Sequence, residues 1–474
     1  MLVSLLLISF MSSPYCATII VKQDGSGDAT TIQAAFNTAS DGDVIEIGDD
    51  NTYIEDVTVS PFLAAVGIPA APLASFTLQA AEGMHPVIQA ANAESSQRMS
   101  IVGVPGRDML GFSIWGCQHV VVKGLEIINL ENVVNEFGIQ SSLVIADCDD
   151  VVVEDCTFRG PNERSSGEGN AIIIAGVQAN PFRVDNITIR NCLITESHYG
   201  IISAMFQKGS GVDPINVTIE DCQFINGFES GVDVDNAENM IIRNCLFDNY
   251  HHGIHFAGGK SLVEDCIIKN AKGEGLECQI DTNWTDAITS VTVRRCAIIG
   301  NGFESEDAPG VECTDGPLLF ENCIIAGNAG PGVKVATDSN SPVNAVFDHC
   351  DIYENFGLSE IMIISGGDQS AKLTVTNSNI VSAGGGFENE LEPSAVIAHH
   401  NNVAVSFDAY YNVDATDCIA NDPLYESPTN NPDDFSWDGF KLKSGSPSLN
   451  TGEDGSTIGS TGSSVTFINA WEIF

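Results

Sequence analysis

Asp233, His255 and Glu277 stand at intervals of 22 residues in the middle of the chain. Each fills the third place of a short phrase of the form Gly-apolar-x-apolar: Gly231-Val232-Asp233-Val234, Gly253-Ile254-His255-Phe256 and Gly275-Leu276-Glu277-Cys278. The same place holds Ile202 earlier in the chain, and Glu312 and Lys334 later. Glu229, the pair His251-His252, and Glu274 come just before the phrase. Two carboxylates are the tools of general acid–base work on a glycosidic bond, one protonating the leaving oxygen while the other activates water. A histidine between them tunes their protonation or carries the proton itself. Carboxylates grouped as Asp233, Asp235, Glu277 and Asp281 could instead hold a hard cation of the Ca²⁺ type. Acids on a wet outward face need no function, so the chemistry depends on whether these residues meet.

A recurring phrase built around cysteine decides how they could meet. It reads apolar-x-apolar-x-[Asp/Asn/Arg/His]-Cys-x-apolar and appears at Cys156, Cys192, Cys222, Cys245, Cys266, Cys296, Cys323 and Cys350. Leu125 fills the slot before the series and Ser378 after it. Intervals run from 21 to 36 residues, so the longer units are a basic coil plus an insertion. Val217 and Ile219 point one way and Thr218 the other, as period-two strands require. Parity breaks at Glu220-Asp221 and resumes at Cys222 and Phe224, which predicts a bend between two short strands. The Gly-apolar-x-apolar phrase supplies a third. Three short strands per turn of about 22 residues describe one coil of a parallel β-helix, in which each x residue points outward. Asn226, Asn249, Asn270, Asn301, Asn328 and Asn355 fit one stacked turn with amides bonded along the axis. The repeat cysteines would stack with parallel Cβ vectors, a poor geometry for disulfides, and are expected as buried thiols.

With those phrases the chain resembles the right-handed parallel β-helix superfamily of pectate lyases, polygalacturonases and pectin methylesterases. The opening Asp24-Gly25-Ser26-Gly27-Asp28, with Thr31-Ile32-Gln33-Ala34-Ala35 and Gly42-Asp43-Val44-Ile45, is similar to the amino-terminal cap of such proteins. The resemblance implies an all-β solenoid with a helix over about 31–39 plugging the open end. It also implies an enzyme acting on a polysaccharide, by glycoside hydrolysis or by β-elimination. Polygalacturonase likeness is strongest around Gly231-Val232-Asp233-Val234, yet Ser230, His251 and His252 stand where that family has catalytic acids. Pectate lyases use Ca²⁺ and a basic residue, for which Lys208, Lys272 or Lys334 would serve. In this fold Asp233, His255, Glu277 and Glu312 form one outward column, with His252 and Glu274 at its edge. Asp233 and Glu277, two coils apart, would be separated by about 9.6 Å at the backbone, which suits an inverting pair. Long loops at 203–215 and 279–290 would wall the column. Trp284 and Lys208 on those loops, and Tyr199 before the column, are the expected substrate contacts, because an aromatic ring can stack on a sugar.

Composition narrows the rest. The chain has 474 residues with 19 basic and 64 acidic side chains, a formal net charge of −45. A nucleic-acid binder working through clustered Lys and Arg is excluded. The run Leu2–Met11 followed by Ser12-Ser13-Pro14-Tyr15-Cys16-Ala17 predicts a signal peptide over 1–17, hence a secreted, cell-surface or periplasmic protein. No later segment has the roughly 18 apolar residues of a membrane helix. The expected layout is a cap and first coil over 18–60, the β-helix over 61–390, and a final coil, cap and tail over 391–474. A monomer with no certain cofactor is expected, Ca²⁺ being the candidate ion. The reading from a different class is a non-catalytic polysaccharide-binding or surface-structural β-helix.

Overall fold

The computed structural model describes residues 16–65, 70–91, 99–100, 108–129, 139–160, 169–176, 184–205, 214–234, 237–279, 290–304, 308–337, 342–366 and 370–460. Its strands stack into three long parallel sheets of 15, 13 and 14 strands, visited in rotation by the chain. Along these sheets strands pair in parallel with their equivalents on the neighbouring coils, giving a right-handed parallel β-helix; Met99–Ser100 stands off this path, antiparallel to Asp108–Trp115. Asp149–Glu154, Asp185–Arg190, Ile215–Glu220 and Glu238–Arg243 follow one another in the first sheet. Ser230–Val234, His252–Phe256, Leu276–Cys278, Val311–Cys313 and Val333–Ala336 follow one another in the third.

One backbone device makes the bend between the first and second sheets. The residue before each repeat cysteine is left-handed: Asp155, Asn191, Asp221, Asn244, Asp265, Arg295, Asn322 and His349 have φ between 51° and 56°. Asn and Asp tolerate that region best among non-glycine residues, which is why they fill most of these places. The left-handed residue also explains the parity break, because it turns the next side chain back into the core. All eight repeat cysteines are free and buried. Each thiol donates weakly to the carbonyl two residues earlier, as Cys222 Sγ does to Glu220 O at 3.2 Å. Ser378 Oγ makes the same bond to Thr376 O at 2.7 Å, so a hydroxyl serves in the same slot.

The core is a stack of rungs. Phe224 and Phe247 lie on neighbouring coils with rings 4.6 Å apart and nearly parallel, and Phe320 and Phe347 repeat the arrangement at 4.4 Å. Glycines of the third sheet make room for second-sheet side chains: Gly200 faces Phe224 and Gly231 faces Phe247. A Cβ on Gly253 would lie 2.2 Å from Ile268 Cγ2 and 2.6 Å from Gly275 O, so only hydrogen fits. The helix expected over 31–39 runs Ile32–Thr38 and buries Ile32, Ala35 and Phe36. Phe36 meets Phe76 edge-on at 4.8 Å.

The single asparagine turn expected from the spacing is two ladders. Asn226, Asn249 and Asn270 are the left-handed residues of the turn, with φ of 59°, 62° and 54°. Asn249 Nδ2 donates to Asn226 Oδ1 at 2.8 Å, whereas Asn270 Nδ2 donates to Asp248 Oδ1. Further along, Gly300 and Gly327 take the left-handed place, and Asn301, Asn328 and Asn355 sit one residue later, inside the tube. There Asn301 donates to Asn328 at 2.9 Å, Asn328 to Asn355 at 2.7 Å, and Asn355 to the buried Glu360 at 2.6 Å. Among the described residues no helix is long and apolar enough to cross a membrane.

Candidate active site on the third sheet

Register in the third sheet makes the column literal. Ile202 pairs with Asp233, Asp233 with His255, His255 with Glu277, Glu277 with Glu312, and Glu312 with Lys334. Side chains of Asp233, His255 and Glu277 keep only 10, 14 and 15% of their exposure, enough to touch a ligand from a poorly hydrated face. His255 lies between the two acids. Its Nδ1 is 3.1 Å from Asp233 Oδ1, and its Nε2 is 2.7 Å from Gln279 Nε2 and 4.0 Å from Glu277 Oε2. One tautomer satisfies both close contacts: Nδ1–H donates to Asp233 and Nε2 accepts from the Gln279 amide.

Beside the column lies a second layer of charge. His252 Nδ1 approaches Glu274 Oε2 at 3.2 Å and Glu277 Oε2 at 3.4 Å, as ion-pair contacts that lack hydrogen-bond alignment. His251 Nδ1 lies 3.6 Å from Glu229 Oε2, and the two adjacent rings meet edge to face at 4.4 Å. Burial alone would lower the His252 pKa, but contact with Glu274 and the charge of Glu277 outweigh it, and the net shift is upward. His251 moves down, through burial and the neighbouring His252. Burial works against ionisation at Glu274 too, yet contact with His252 prevails and its pKa falls. Glu277 moves the other way: burial raises its pKa, helped by Glu274 and Glu312 and only partly opposed by His255 and His252. Two neighbouring carboxyls are thus pushed apart, one towards staying ionised and one towards holding a proton.

Other expected residues fall at varied distances from this centre. Glu312 is tied to Lys334 by a 2.8 Å ion pair at the far end of the column. Tyr199 opens the strand Tyr199–Met205 one coil before Asp233, its ring 4.8 Å from that of His198. Lys272 Nζ lies 5.4 Å from the centre of the Phe228 ring, a cation–π contact at the edge of the same face. Lys208, Asp235, Asp281 and Trp284 lie outside the described residues, as do 206–213 and 280–289 of the two expected walls. Gln279 was legible only as an outward residue two places after Glu277, and that parity is the signal for its contact with His255.

Residues 110–286 and 187–352 match the model of the right handed beta helix region family. The chain belongs to that family. A search of curated proteins finds no match. Among solved structures, this β-helix is similar to the A-module of the mannuronan C-5 epimerase AlgE6 of Azotobacter vinelandii, with 14% identity and a TM-score of 0.47. That likeness covers 83% of this chain and 94% of the other. It is similar to a polygalacturonase from Erwinia carotovora ssp. carotovora at 11% identity and a TM-score of 0.40, covering 85% of this chain and 98% of that one. The surface adhesin PfbA of Streptococcus pneumoniae matches at 9% identity and a TM-score of 0.29, covering 82% and 87%.

Among the described residues, three sets bring potential metal-ligand atoms within 4.8 Å of one another: Glu229–His251–His252, His252–Glu274–Glu277 and His399–His400–Glu453. The first two share His252. In the second set Glu274 and Glu277 raise the pKa of that ring, favouring a proton between the two acids. The third set is remote in sequence and joins the last coils to the tail.

Proposed function

We propose that the protein is an exported polysaccharide hydrolase that uses the Asp233–His255–Glu277 column. The observation that carries the reading is the imidazole held between two carboxylates on three successive coils. Glu277, with its raised pKa, is the general acid that protonates the glycosidic oxygen. Asp233 is the base that activates water, and His255 fixes its orientation through the 3.1 Å hydrogen bond. The path through the ring keeps the two carboxyl oxygens no more than about 9 Å apart, under the ~9.5 Å upper limit of inverting glycosidases. Charge favours a neutral glycan over a polyuronate. Glu229, Asp233, Glu274, Glu277 and Glu312 share the face, and Lys334 is already committed to Glu312. β-Elimination on an anionic chain would have to overcome that repulsion. The apolar run Leu2–Met11 supports action outside the cytoplasm, secreted or at the cell surface.

The test is digestion of a panel of neutral and anionic polysaccharides with product analysis. Reducing ends from a neutral glycan, first formed with inverted anomeric configuration by NMR, are expected. Asp233→Asn should lower turnover by about 10²–10⁴ without unfolding the chain. Unsaturated ends would assign a lyase and overturn the reading. Binding without turnover would assign the face to recognition alone, as the surface-structural alternative requires.

A further inference from the structure

The bend after the strand Val396–His399 differs from the others in carrying two histidines. In a regular strand His399 and His400 would point to opposite faces. Here His400 is left-handed, with φ of 55°, and the two rings come to the same side with their planes 81° apart. Their Nδ1 atoms lie 3.2 Å from each other. A tetrahedral ion with metal–nitrogen bonds of ~2.0–2.1 Å separates two of its nitrogen ligands by about 3.3 Å, so the rings are already set at a chelating bite. A third ligand arrives from the tail. Glu453 brings a carboxylate oxygen within 4.8 Å of a ring nitrogen of each histidine, and its backbone N–H is anchored on Asn377 Oδ1 at 2.8 Å.

We propose that His399, His400 and Glu453 form a binding site for a divalent transition-metal ion that clasps the carboxy-terminal tail to the last coils. Two imidazole nitrogens and one carboxylate are a borderline donor set of the kind that suits Zn²⁺, Co²⁺ or Ni²⁺ and not Ca²⁺. A fourth position is left to water. The site is separate from the Asp233–His255–Glu277 column, so it stands whether or not that column is catalytic. Neighbouring coils supply the control substitutions: Thr376 and Thr416 are the register partners of His399, and Asn377 is the left-handed residue one coil earlier. His399→Thr and His400→Asn therefore keep the bend.

The full chain, stripped with a chelator and titrated with Zn²⁺ and Co²⁺, is expected to take up one ion at this site. Bound Co²⁺ should show the intense visible bands of a four-coordinate ion. His399→Thr/His400→Asn should weaken this binding by at least ~10–100-fold, the scale that even loss of a ligand's supporting partner reaches. Glu453→Gln should weaken it less. Zn²⁺ should also slow proteolysis after residue 420 in the wild type and not in the double variant. Unchanged affinity and unchanged Co²⁺ spectra in the double variant would overturn the proposal. So would metal binding lost on His252→Asn but kept in the double variant, which would place the ion on the third sheet.

Discussion

Replacing Glu277 by glutamine separates chemistry from stability in one substitution. The carboxyl is mostly buried, stands between Glu274 and Glu312, and has its pKa raised mainly by burial. A group that binds its proton more tightly when folded stabilises the fold below its unfolded pKa, and that contribution is lost as pH rises through the folded value. Wild-type stability should therefore decline as pH climbs above the ordinary glutamate range of about 4.3, by ~1.4 kcal/mol for every tenfold by which folding tightens the carboxyl's hold on its proton. Glutamine copies the protonated form and cannot ionise. Glu277→Gln should match the wild type near pH 4, where the glutamate is largely protonated, and exceed it at pH 7 and above. Thermal melts at these pH values check the difference, which should open as the wild-type carboxyl ionises and level off once it is fully charged. Turnover should move the other way, falling by about 10²–10⁴, because the amide has no proton to give to a leaving oxygen. The alkaline limb of the wild-type pH–rate profile should vanish with it. A variant that is less stable at pH 7 yet retains turnover would refute both the placement of the proton and the role of the acid.

Gly253→Ala should destabilise by about 1–3 kcal/mol in denaturant titration, because its Cβ would meet both Ile268 and the backbone of Gly275. Cys350→Ser should be tolerated within about 1.5 kcal/mol, since Ser378 Oγ already makes the equivalent bond one coil later and Cys350 Sγ donates to Asp348 O at 3.5 Å. Native thiols of the ladder should resist alkylation until the chain unfolds. Buried Glu360 and Asp351, with pKa values pushed up to about 8 and about 6 by burial, add stability at low pH that disappears as pH rises through those values. Glu360→Gln should accordingly flatten the alkaline half of a melting-temperature profile.

The tube was legible because its bend is chemically demanding. A left-handed residue selects Asp or Asn, the next side chain turns into the core and is most often cysteine, and the two together print a period that survives insertions. Outward alternation then fixed the order Asp233, His255, Glu277, Glu312, Lys334. Side-chain direction at turns was not legible. His251 precedes the strand and His252 only opens it, where period two does not yet say which ring faces Glu229 and which faces Glu274. Asn301 shifted inward because Gly300 took the left-handed place, and spacing alone does not register a displacement of one residue. The pairing of His399 and His400 with Glu453 escaped for a different reason: the tail returns over some fifty residues that carry no repeat.

The parallel stacking of the third sheet makes the tube a ruler graduated in single coils. Excising the one coil that carries His255, in register from Glu238 to Lys260, would seat Glu277 directly against Asp233. Their backbone spacing would drop from two graduations to one, about 4.8 Å. Parallel side chains projecting from that spacing would bring the carboxyls near the ~5–5.5 Å at which a covalent sugar intermediate is favoured over direct attack by water. On the proposed hydrolase reading, the stereochemistry of the product would follow the number of coils between the two acids, and a deletion of 22 residues would change it.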